Sequence, residues 1–143
     1  MSTTITAITA ALQGQLAEAL GVNAIRVYPT PVDASEAPSR GAAVMIRFLG
    51  RESLSPCNEH ARFELVVSVP AMDRQWPASV GLLRSYLDLT GDLSIEATIE
   101  ADRTLGGLVS DAVATGTDRE RLVEYHDGKR WSAPVFVSVY YEG

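Results

Sequence analysis

Ile5, Ile8, Leu12, Leu16, Ala19 and Leu20 recur at threes and fours, with Gln13, Gln15 and Glu18 on the other side. That period predicts an amphipathic helix over Thr4 to Leu20, about 25 Å long, with Gly21 as an inexpensive left-handed stop. The pattern then changes to a period of two. Ile25 to Tyr28 reads as a short strand that Pro29 and Pro31 interrupt, and Thr30 to Gly41 is a loop built on Pro31, Asp33, Ser35, Pro38 and Gly41. Val44, Ile46 and Phe48 alternate with Met45 and Arg47, which predicts a strand over Ala42 to Leu49. A second loop, Gly50 to His60, leads to Phe63, Leu65, Val67 and Val69, and these two apolar-faced strands form the centre of an antiparallel sheet.

Beyond Pro70, the stripe Val80, Leu83, Tyr86 and Leu87 predicts a second helix, broken at Thr90-Gly91-Asp92. Ser94 is placed to cap a short third helix with Ile95 and Ile99 inside and Glu96 and Glu100 toward solvent. Gly106 and Gly107 turn the chain into a strand over Leu108 to Gly116. Leu122 to Tyr125, the turn His126-Asp127-Gly128-Lys129 and the residues from Arg130 onward read as a hairpin, because Asp-Gly favours the primed turns that join twisted strands. Val135, Val137, Val139 and Tyr141 mark the last strand. Helix, three strands, two helices and then strands imply an α+β domain: a mostly antiparallel, mixed sheet with two to three helices packed on one face. No repeat or linker divides residues 1–143, so one domain is expected.

Length and charge narrow the function. At 143 residues a chain buries roughly 68–70% of its unfolded surface, enough for a core without staples. No apolar run approaches the roughly 20 residues that span a bilayer, so no membrane partner is expected. The opening Met1-Ser2-Thr3-Thr4 carries no secretion signal, and the lone Cys57 reads as a reduced cytosolic thiol. A net charge of −6 without a Lys/Arg cluster argues against sequence-reading of DNA, without excluding nucleic acid that the protein lets pass, since a like-charged surface repels the phosphate backbone.

The search for chemistry finds only weak constellations. Cys57 and His60 form one Cys-x-x-His pair where a zinc site needs three or four ligands, and the same two residues lack the geometry of a thiol nucleophile with its base. Glu96 and Glu100 share one exposed helix face, the usual place for solubilising charge, and Gly106-Gly107 lacks the Lys-Ser/Thr of a phosphate loop. The pattern therefore predicts no catalytic residue, cofactor or metal. What stands out instead is suited to protein contact: the hairpin residues Tyr125, Lys129, Arg130 and Trp131, Trp76 beside Pro77, and the loop residues Asp33, Glu36 and Arg40.

The run from Tyr86-Leu87-Asp88-Leu89-Thr90-Gly91 through Ser94-Ile95-Glu96-Ala97-Thr98-Ile99-Glu100-Ala101-Asp102-Arg103-Thr104-Leu105-Gly106-Gly107 to Val109, Asp111 and Gly116 resembles the tail-terminator proteins of long-tailed bacteriophages, especially those of actinobacteria. The opening helix, the Arg26-Val27-Tyr28-Pro29 segment and the closing strand of alternating Val are similar too. Members often read Pro-Ser where this chain has Leu89-Thr90. The resemblance implies a structural virion protein, assembled in the host cytoplasm and sited at the tail neck. It implies a homo-oligomeric ring, usually hexameric, that ends tail-tube polymerisation, with the major tail protein and head-tail connector proteins as partners and DNA passing through without specific binding.

Three other readings stand beside it. Another neck component, a head-closure or tail-completion protein, shares the small α+β fold and acidic composition. A small ligand-binding module would show a closed apolar cavity with converging polar groups, and a hydrolase built on scattered carboxylates would need two of them brought together in a cleft.

Overall fold

The computed structural model describes residues 3–21, 25–28, 42–71, 76–125 and 128–143, with the backbone alone at 25, 26, 76, 77 and 125. The elements run α1 (Ile5–Leu20), β1 (Ile25–Tyr28), β2 (Ala42–Ser55), β3 (Asn58–Pro70), α2 (Trp76–Leu87), α3 (Ile95–Ala101), β4 (Asp111–Thr117), β5 (Arg121–Tyr125) and β6 (Gly128–Glu142). The predicted succession of elements is the observed one. Two of the helix starts, those of α1 and α3, have a local cause. The Thr4 hydroxyl accepts the Ala7 N–H at 3.1 Å, and the Ser94 hydroxyl accepts that of Ala97 at 3.0 Å, so both helices open on a satisfied cap.

The strands form one sheet in the order β1-β2-β3-β6-β4, with β5 also on β6. β1 and β2 run parallel and every other pair is antiparallel, which makes the sheet mixed and mostly antiparallel. The period-two alternation sends Val44 and Ile46, Phe63, Leu65 and Val67, and Val135, Val137 and Val139 to one face. Ile8, Leu12 and Leu16 of α1, Leu83 and Tyr86 of α2, and Ile95 and Ile99 of α3 pack on that same face in a single core. The α+β architecture with helices on one face is thus as expected.

Two sequence expectations are corrected. The predicted loop Gly50 to His60 is a long hairpin. β2 continues to Ser55, turns at Pro56 and Cys57, and returns in β3, with Arg51 opposite Ala61, Glu52 opposite His60 and Ser53 opposite Glu59. This arm is held by ladder bonds rather than by burial. β3 stays flanked by β6 on its other side as far as Asn58 opposite Glu142, so a polar strand is kept without any apolar alternation to betray it. Leu49 and Leu54 fall at the two places where the β2–β3 register shifts. The second correction is the start of β4, at Asp111 instead of Leu108. Left-handed backbone at Leu105, Gly106 and Gly107 prolongs the turn after α3.

Pro134 lies in β6, an interior strand, where a missing N–H normally costs a ladder bond. The sheet accommodates it by interrupting the neighbour: Thr117 of β4 pairs with Val135 and Arg121 of β5 pairs with Ser132, so nothing on that side pairs with Ala133 or Pro134. β4 and β5 therefore behave as one edge strand broken at residues 118–120.

Candidate protein interface

The residues picked from sequence as protein contacts scatter. Asp33, Glu36 and Arg40 lie outside the described residues, and Trp76 and Tyr125 are placed by backbone at the start of α2 and the end of β5. Lys129 is exposed. Arg130 and Trp131 are a correction, since neither stands outward at a hairpin tip. Arg130 is 2% exposed, and its guanidinium donates to the Ser68 hydroxyl at 3.1 Å and the Ser68 carbonyl at 3.3 Å. Trp131, one position on, points to the opposite face and packs half-buried against the core. Arg130 is held in by its bonds to Ser68 of the neighbouring β3, and Trp131 by the core on the other face.

The outward apolar surface lies elsewhere. β2 exposes Phe48, Leu49 and Leu54 to 46%, 39% and 56%, and β5 exposes Leu122 and Val123. Among the described residues nothing pairs with the outer side of β2 beyond Met45, nor with the outer sides of β4 and β5. The sheet thus presents two unlike open edges, an arrangement that invites strand or side-chain contact with other chains. The arm is ordered by its own contacts. Arg51 pairs with Glu59 at 3.1 Å, His60 Nδ1 lies 3.1 Å from Glu52, the His60 ring stacks on Tyr140 at 4.6 Å, and Phe48 leans on Phe63 at 5.6 Å.

The perturbed carboxylates have structural causes. Asp102 is held below the usual carboxylate range by the Thr104 hydroxyl and the Gly106 N–H, which it accepts at 2.9 and 2.8 Å. Asp111 is lowered by a two-pronged bond from Arg103, both contacts at 2.7 Å, and Glu120 is lowered by its bond from Arg84. Burial raises Tyr86 and Tyr141. The three carboxylates each fasten a turn or an element end, the two tyrosines belong to the core, and Asp102 shares only an open pocket with Glu18. Cys57 lies exposed in the arm's turn while His60 is taken up by Glu52 and Tyr140, and no group of three or more His, Cys, Asp or Glu among the described residues is placed to hold a metal.

The segment Tyr86 to Gly116 shows why its residues are distinctive. Tyr86 fills the core, Ser94 caps α3 and donates to the Asp88 carbonyl, Asp102 gathers the following turn, Leu105 to Gly107 supply left-handed backbone, and Arg103 reaches Asp111 at the start of β4. These are determinants of shape. No protein-family model matches the chain, and no curated protein matches it.

Proposed function

We propose that this protein is a structural subunit that assembles with copies of itself into a closed ring at the head-proximal end of a phage tail tube, where it ends tube growth and joins the tail to the head. The observation that supports self-assembly is the pair of unlike, exposed apolar edges on opposite sides of one sheet: the β2 arm with Phe48, Leu49 and Leu54, and β5 with Leu122 and Val123. Two different surfaces on one subunit join head to tail, and such contacts close into a ring where the rotation between neighbours closes and run on as a filament where it does not. The place of that ring in a tail neck rests on the sequence resemblance of Tyr86 to Gly116. An acidic subunit suits a DNA passage: six copies at −6 carry about 36 negative charges, which favours sliding over adhesion.

The test is to add the purified protein to polymerising tail-tube subunits and image the products. Capped tubes of arrested length, each with a ring at one end, are the expected outcome. Tubes that lengthen at the unaltered rate refute the tail-end role, and another neck component would behave in that way.

A further inference from the structure

The break between β4 and β5 opens a groove of about 310 Å³ on the face of the sheet away from the helices. Val66, Pro134 and Phe136 supply its apolar part. Ser132 lines it as well, only 7% exposed, and its hydroxyl has no hydrogen-bond partner. A buried hydroxyl left in that condition is destabilising relative to a bonded one, so a polar atom brought to this site would gain a hydrogen bond. Around the opening stand Glu64, Asp118 and Arg121, none of which is in an ion pair. The groove has room for one apolar side chain and the peptide around it, between charges of both signs.

The tip of the β2–β3 arm has the matching chemistry. Leu54 is the most exposed large apolar residue of the arm and stands out of register with β3, so its peptide lies outside the ladder. Ser53 and Ser55 flank it, bonded to Glu59 and Asn58, and Arg51 and Glu52, 49% and 68% exposed, stand behind it in their pairs with Glu59 and His60. Within one chain the two cannot meet. Asn58 at the tip and Leu65 beside the groove are separated along β3 by roughly 23 Å of paired strand. We infer that Leu54 of one copy seats in the groove at the β4–β5 break of the next copy, with the Ser132 hydroxyl bonding the peptide or a serine of the incoming arm and Arg51 and Glu52 meeting Glu64, Asp118 and Arg121. This contact rests on the self-assembly part of the proposed function and gives it a residue pair. Arm and groove do not overlap, so each subunit offers one of each.

Leu54→Asp and Val123→Asp place a charge on the knob and in the groove wall, both at exposed positions that leave the fold intact by circular dichroism and thermal midpoint. Analytical ultracentrifugation is expected to show each variant alone as monomer, with self-association weakened ~30-fold or more. Mixed in equal amounts they are expected to form dimers and nothing larger, because the first retains a groove and the second an arm. Ser132→Ala is expected to weaken assembly about 5–10-fold while leaving thermal stability unchanged or slightly raised, since the free chain loses no hydrogen bond. Wild-type protein that stays monomeric, variants that assemble like wild type, or a mixture that yields rings or stays monomeric overturns the contact. A ring that forms in this way and fails to arrest tube growth leaves the contact standing and removes the tail-end role alone.

Discussion

The two faces of the sheet are built on opposite principles. The helix-covered face is a single apolar core in which Phe63, Leu65, Val67, Val135 and Val137 are closed off by side chains from all three helices. The far face mixes Val66, Pro134 and Phe136 with Glu64 and Arg121, and is buried around Ala43, Met45, Ser68, Arg130 and Ser132. The first face carries the main core, while the arm and the exposed half of the second face add little to it. On the proposed contact, stability and assembly depend on separate sets of residues, and substitutions can separate them.

The largest effect is expected from the covered face. Phe63→Ala, at a fully buried position in the middle strand, should lose about 3–5 kcal/mol of unfolding free energy, read from urea denaturation. A loss under about 1 kcal/mol would mean that the core is looser than its packing implies. Next comes the cap of α3. Ser94→Ala removes the bond to the Ala97 N–H and the donation to the Asp88 carbonyl, and should cost on the order of 1–2 kcal/mol by the same measurement.

A smaller effect is expected from acid. Asp102 and Asp111 both have folded-state pKa values below their unfolded ones, so each contributes stability that is complete above the ordinary carboxylate range. That contribution is lost as the pH falls through the folded values. Urea midpoints taken from about pH 5 down to about pH 2 should fall more steeply for wild type than for Asp102→Asn. Parallel curves would show that the turn after α3 does not depend on the charge. The smallest effect belongs to the arm. Leu54→Ser should leave the unfolding free energy within about 0.5 kcal/mol of wild type, and a larger loss would merge the two regions that the comparison separates.

How much of this was legible depended on whether a residue's environment lies near it in the chain. Helix periods, the Ser94 cap and the alternation of Val135, Val137 and Val139 are local, and the sequence predicts them correctly. The arm leaves no such signal, because Glu52-Ser53-Leu54-Ser55 has no buried face to impose a period; its strand character comes from pairing with β3, which is steadied by β6 from far along the chain. The burial of Arg130 is hidden for the same reason, since its partner Ser68 stands 62 positions away. The groove at Ser132 left one faint sign, a proline inside a run that otherwise reads as a central strand. Followed through, Pro134 predicts a broken neighbour, though not which residues border the gap.

β6 also sets a timetable. It follows every other element in the chain, yet it is the seam on which β3, β4 and β5 all pair. During synthesis, β4 and β5 emerge with no partner to bind, and the β2–β3 hairpin waits with one flank unpaired until β6 arrives. Nascent chains stalled before residue 128 are thus expected to be sensitive to protease and prone to sticking, and release of the last strand should protect the whole sheet in one step.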